Sequence, residues 1–391
     1  MTTVREACRA GRDLLAKFAG LMLLVALGFA LVTPARAVDP IGTASQTTIP
    51  CPSGGAANGE CYRIAIKGCP GATIFYARAK LNTTTAAQAI GTVLLTTGGG
   101  GNSWYDNDPQ FKIASNCTGN CGLQTVTDLN AAGYNTIQTN FSDLNQVAPE
   151  VAGWLTGSTT TPNGPRELAC RYATVANWAW TFLLGGDTSK PVCATGNSAG
   201  SAAIAYALSQ YQLGSKAGPG PDFRMAEMTS GPPLSRLDHA CLGKKAPKPV
   251  VQCPLTTPPT TLSENIGVID AEKVVDPSYD GDLDCSSLSS CQPDATDICG
   301  NSILSGGPAD PTLLHDSILS DTDPPILSYD TNVNVVFGDH DLTAAVPLGQ
   351  EWFNAVTSQK SQACVAGPHH NLPGYTAGEQ QIVADLTSLC K

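Results

Sequence analysis

The chain has 391 residues, with 22 Lys+Arg against 33 Asp+Glu for a net charge of −11; it is 42% hydrophobic and only 14% charged. That apolar fraction suffices for a sizeable core and excludes wholesale disorder. The acidic balance excludes a nucleic-acid binder that works through a basic footprint.

Arg5, Arg9, Arg12 and Lys17 form a basic leader, followed by an unbroken apolar run of 15 residues from Phe18 to Val32 and the small-x-small stretch Ala35-Arg36-Ala37. This order predicts an export signal over residues 1–37, cleaved near Ala37. Its apolar run is short for a membrane span, and no stable membrane insertion is expected. Losing Arg5, Arg9, Arg12, Lys17 and Arg36 against Glu6 and Asp13 moves the net charge from −11 to −14. Cys8 goes too, leaving fourteen of the 15 cysteines, an even set expected to pair in an oxidising compartment. No C-x-x-C pair or His set at ligand spacing points to zinc. Connectivity is not readable from spacing, although Cys117 with Cys121, Cys285 with Cys291 and Cys364 with Cys390 are the plausible pairs.

Strand, glycine-bearing turn and helix recur along the remaining chain, the pattern of a doubly wound, mostly parallel α/β sheet. Strands are expected at Tyr62–Lys67 and at Ala72–Lys80, the second alternating in polarity like a sheet edge. Thr92–Thr97 is a buried strand running into Gly98-Gly99-Gly100-Gly101. A helix over Leu123–Ala132, a strand over Asn135–Asn140 and a helix over Glu167–Leu184 follow. The strand Pro191–Thr195 turns at Gly196–Gly200 into an alanine-rich helix to Leu213, and Arg224–Met228 is the next strand. Between Leu237 and Leu327 periodicity fades among Pro, Asp, Ser and the cysteines 241, 253, 285, 291 and 299. This reads as a disulfide-tied insertion, not an independent domain. The strand Asn332–Phe337, a helix over Leu348–Val356, a short strand at Gln362–Val365 and a helix over Gly378–Leu389 complete the chain.

The sharpest motif is Gly196-Asn197-Ser198-Ala199-Gly200, a G-x-S-x-G between a buried strand and a helix. Flanking glycines let strand and helix approach closely while the turn exposes the serine hydroxyl. A serine needs a base, and the base an orienting carboxylate. Asp339 and Asp341 follow one late strand, and His369 and His370 follow the next. Asp280, Asp282 and Asp284 lack the Gly and Glu of a calcium loop and read as a solvated turn. Asn82, Asn116 and Asn140 open glycosylation sequons.

The order strand–Ser–helix, then Asp, then His, resembles the α/β-hydrolase superfamily over most of the chain outside the insertion. The resemblance implies two core pieces, 38–236 and 328–391, around a cap or lid at 237–327. The family's Gly-x-x-Asp pattern matches Gly338 and Asp341, selecting Asp341 over Asp339. Aligning Gly367 with the family's Gly-x-Gly-His selects His370 over His369, although Pro368-His369 stands where the second glycine is expected. The backbone N–H of Ala199 and one from the 98–101 loop, Gly99 ahead of Gly100, would form an oxyanion hole. The implied activity is a secreted serine hydrolase of small-molecule or polymeric carboxylic esters, acting without cofactor or metal. A peptidase or amidase on the same fold, or a silent binding protein, are the alternatives.

Overall fold

The computed structural model describes residues 38–113, 117–142, 153–158, 162–241, 275–279, 297–305, 308–320, 325–341, 343 and 345–391. The expected export signal, the acidic turn at 280–284 and the pair Cys285–Cys291 lie outside these. The sheet comprises β1 (Thr43–Ile49), β2 (Gly59–Lys67), β3 (Phe75–Asn82), β4 (Gly91–Thr96), β5 (Tyr134–Asn140), β6 (Val192–Asn197), β7 (Phe223–Thr229), β8 (Asn332–Gly338) and β9 (Lys360–Val365). Their order is β1-β2-β3-β5-β4-β6-β7-β8-β9. The first three strands run antiparallel up to the β3–β5 pair, and every pairing from β5 through β4 to β9 is parallel.

Parallel strands covered on both faces should be continuously apolar, and β4 is. Val93 and Leu95 face one apolar cluster, Leu94 the other, and all three are fully buried. Helices α1 (Cys121–Ala131) and α7 (Thr376–Leu389) cover the first face through Val126, Leu129, Ile382 and Leu386. Helices α2 (Cys170–Trp178), α3 (Ala199–Ser209) and α6 (Ala345–Ala355) cover the second. Two shorter helices, α4 (Ile298–Ser305) and α5 (Pro311–Asp316), belong to the expected insertion. Its described part is built into the main core, since Cys241, Val275, Tyr279, Cys299, Leu313 and Ile318 join the second cluster.

Several elements differ from expectation. The polar-rich strand β1 (TASQTTI) carries no apolar alternation that would announce it, yet it takes the sheet edge. The expected edge at 72–80 is instead β3, flanked by β2 and β5. The single helix expected over 167–184 is a short turn at Pro165–Leu168, then α2, then a π-helical turn at Ala179–Leu183. Cys390 pairs with Cys193 on β6, so the Cys364–Cys390 neighbourhood is not a bond, and Cys364 is disulfide-bonded to another partner. Cys51–Cys61, Cys69–Cys170, Cys117–Cys121 and Cys241–Cys299 are also joined. The sequon residues Asn82 and Asn140 are 1% and 2% exposed, which removes them as glycan acceptors in the folded chain. Among the described residues no helix is long and apolar enough to cross a membrane.

A buried ion pair fixes the segment that leaves the glycine loop. Lys80 Nζ on β3 lies 2.7 Å from Asp106 Oδ2, with both side chains 1% exposed. The same carboxylate accepts the Ala56 N–H at 2.8 Å, while the Asp106 N–H donates to Gln138 Oε1 at 2.9 Å. Removing one member strands a buried charge. Lys80→Met is therefore expected to cost about 3–5 kcal/mol in urea unfolding; an unchanged midpoint would show that Asp106 needs no counter-charge.

Candidate functional site

The adjacent parallel strands β4 and β6 end side by side, because Thr96 pairs with Gly196. Connections from these two strands turn to opposite sides of the sheet, and such a switch point opens a crevice at the strand ends. The loop 97–101 and the turn at Ser198 both emerge there. Ser198 adopts φ 52°, ψ −123° at the N-cap of α3. That backbone is costly for a residue with a side chain, and neighbours must enforce it. Its N–H donates to Thr229 O at 2.9 Å, and a Cβ at Gly196 would stand 2.6 Å from the Gly200 carbonyl carbon. A Cβ at Gly200 would collide with Thr97 O. The G-x-S-x-G glycines are therefore required by close backbone approach.

The glycine loop is built against the serine. A Cβ on Gly98 would meet Ser198 Cβ at 3.3 Å, and Gly99 takes a positive φ of 55°. Gly100 O accepts from Trp154 N at 3.0 Å and Gly101 O from Phe141 N at 2.8 Å, so the loop is anchored by its carbonyls. The N–H of Ala199 heads α3, where the first-turn donors have no intrahelical acceptor. The start of α3 and the glycine loop therefore both lie against Ser198.

His370 comes from three strands away. The loop after β9 doubles back over the end of β8: His340 N–H donates to Pro368 O at 3.1 Å, and a Cβ at Gly338 would strike that carbonyl. Asp339 pins this loop by accepting the Gly367 N–H at 2.6 Å and lies 2.6 Å from His340 Nδ1. Thus placed, His370 Nε2 lies 2.8 Å from Ser198 Oγ and its Nδ1 3.1 Å from Asp341 Oδ2. Ser198, His370 and Asp341 come together; Asp339 and His369 do not join them. His369 is exposed, its ring centroid 5.5 Å from that of His340 and 6.0 Å from that of Tyr375.

The Asp341 side chain is fully buried, while that of His370 is 29% exposed. Burial pushes the Asp341 carboxyl up, but the hydrogen bond and charge of His370 and two bonds from Thr343 outweigh it and hold it below the ordinary carboxylate range. Thr343 was not singled out by sequence. Its N–H and hydroxyl both reach Asp341 Oδ1, at 3.0 and 2.8 Å, and its Oγ1 lies 3.0 Å from His370 Nδ1. The Asp-x-Thr spacing at a helix entry is the signal for such a turn. Among the described residues no group of three or more His, Cys, Asp and Glu is placed to hold a metal.

A depressed native pKa has a fixed sign. Asp341 contributes stability that is present above the unfolded carboxyl's pKa of about 3.9 and is lost as pH falls through the lower native value. The stability difference between wild type and Asp341→Asn is therefore expected to be full at neutral pH and to shrink below about pH 4. Thermal unfolding of both proteins across the acid range measures it, and a pH-independent difference would contradict it.

No family model and no curated protein matches the sequence. Among solved structures, the chain is similar to the esterase domain of a Rhodothermus marinus protein, at TM-score 0.41 and 12% identity over 85% of this chain and 100% of that one. A dienelactone hydrolase from Anabaena variabilis matches at TM-score 0.41 and 10% identity, covering 90% and 100% of the two chains. Acetyl xylan esterase 1 from a Thermoanaerobacterium species matches at TM-score 0.40 and 12% identity, over 85% and 83%. Through its own strand order, its opposed helix layers and its tight strand–Ser198–helix turn, this chain has the α/β-hydrolase fold.

Proposed function

We propose that the chain is a secreted serine hydrolase that cleaves carboxylic esters through Ser198, His370 and Asp341. The observation that carries the reading is the continuous relay from Ser198 Oγ through both ring nitrogens of His370 to a buried carboxylate. Ser198 Oγ attacks the ester carbonyl carbon while His370 Nε2 takes its proton. Asp341 holds the Nδ1–H tautomer and stabilises the imidazolium that forms. The Ala199 and Gly99 N–H groups receive the oxyanion. His370 then protonates the departing alkoxide, and water, activated by the same nitrogen, hydrolyses the acyl-enzyme.

Ester cleavage, in place of amide cleavage, is the step taken by fold-level analogy. The expected insertion 237–327 follows β7, which ends beside the end of β6 that carries Ser198, a position that suits a cap shaping the substrate cleft. The basic leader and apolar run at the N-terminus, together with the bonded cysteines, favour an exported protein.

The test uses the mature, oxidised protein with a fluorophosphonate probe mapped by peptide mass, beside p-nitrophenyl ester and anilide substrates. Labelling is expected at Ser198 alone, with turnover of the ester. Ser198→Ala and His370→Ala are expected to lose about 10⁴-fold or more in kcat, and Asp341→Asn about 10⁴-fold, with each variant folded by circular dichroism. His369→Ala is expected to keep most activity. A folded, unlabelled wild type would overturn the reading in favour of a binding protein, and anilide turnover without ester turnover would make it an amidase.

A further inference from the structure

Thr343 stands where two hydrogen-bonding partners of opposite character meet. Asp341 Oδ1 lies 2.8 Å from its hydroxyl oxygen and His370 Nδ1 lies 3.0 Å from the same atom. A buried, ionised carboxylate only accepts, so the single hydroxyl proton goes to Asp341 in a charge-assisted bond. The lone pairs of Oγ1 are then left facing His370 Nδ1. The nearest Asp341 oxygen to that nitrogen is 3.1 Å away, essentially the same distance.

We propose that Thr343 is a positioning residue that makes the Asp341–His370 link three-centred, the Nδ1–H proton being shared between Asp341 Oδ2 and Thr343 Oγ1. The inference rests on the hydrolase reading of Ser198 and deepens it. With its hydroxyl proton held by Asp341, Thr343 presents only an acceptor to the ring. The tautomer with its proton on Nε2 would aim the Nδ1 lone pair at two acceptor oxygens, so both neighbours enforce a proton on Nδ1. Nε2 is then left as the acceptor for Ser198 Oγ–H. The same two oxygens fix the ring plane, and they stabilise the imidazolium formed when Nε2 takes the serine proton. The Thr343 N–H bond to Asp341 Oδ1, 3.0 Å, comes from the backbone and does not depend on the side-chain hydroxyl.

Two substitutions separate the hydroxyl from the methyl. Thr343→Val keeps the branched shape and removes the hydroxyl; Thr343→Ser keeps the hydroxyl and removes the methyl. Thr343→Val is expected to lower kcat on a p-nitrophenyl ester about tenfold, with KM within about twofold, because a hydrogen bond to a charged partner is lost on one side. Fluorophosphonate labelling of Ser198 should slow in parallel, and the downfield Nδ1–H proton resonance of His370 should shift. Thr343→Ser should restore all three to near the wild-type values. Wild-type rates in Thr343→Val, or equal impairment in Thr343→Ser, would overturn the proposal, the latter assigning the effect to packing. Should Thr343→Val fail to fold, Thr343→Ser and the His370 resonance still decide. A wild type that does not label at Ser198 at all marks failure of the hydrolase reading itself, and this proposal falls with it.

Discussion

The geometry of the site depends on one backbone constraint: Ser198 is held at a positive φ between a strand and a helix that almost touch. A residue with a Cβ does not choose this conformation, so its neighbours must make every alternative worse. They do so by contact. The backbones around Gly196 and Gly200 approach each other and Thr97 too closely for any side chain, and Ser198 N–H is tied to the end of β7. The cost of a strained serine is thereby carried by a sheet whose central strand β4 is wholly buried. The outcome is a serine hydroxyl within hydrogen-bond reach of His370 Nε2 at the ends of the strands.

Everything else at the site reaches toward that fixed point by loops, and each loop has its own anchor. The glycine loop is held through its carbonyls, and its exit through the buried Lys80–Asp106 pair. The histidine loop is pinned by Asp339 and by the passage of Pro368 over Gly338. The disulfide Cys193–Cys390 ties the serine-bearing strand to the residue that follows α7, and Cys69–Cys170 ties the β2–β3 turn to the start of α2. Such cross-links restrict the unfolded chain more as the enclosed loop lengthens. Those two close separations of 197 and 101 residues, so they act on the whole core.

The electrostatic arrangement follows from the same packing. Asp341 is buried, which by itself would favour its neutral form; donors from His370 and Thr343 reverse that preference. A carboxylate kept ionised in a dry setting is a strong partner for one imidazole nitrogen, while the partly exposed ring keeps its other nitrogen at the serine.

The buried parallel strands were legible in the chain's residue pattern, because residues covered on both faces must be continuously apolar, and so was the Ser198 turn, because glycine spacing there reports backbone crowding. The sequence also narrowed the partners of Ser198 to two aspartates and two histidines, among which the family resemblance favours Asp341 and His370. The folded chain brings those two into hydrogen-bond contact with each other and His370 with Ser198. Asp339 and Asp341 differ by one turn of loop, and which points inward depends on how the β9 loop crosses β8, a contact between segments far apart in sequence. The same holds for His369 against His370, for Thr343, and for the pairing of Cys193 with Cys390. The edge strand β1 escaped notice for the converse reason: it is half solvated and polar, and its backbone hydrogen bonds to β2 leave no mark in side-chain pattern. Local sequence records what a residue's own neighbours demand; it does not record which distant loop will fold back to meet it.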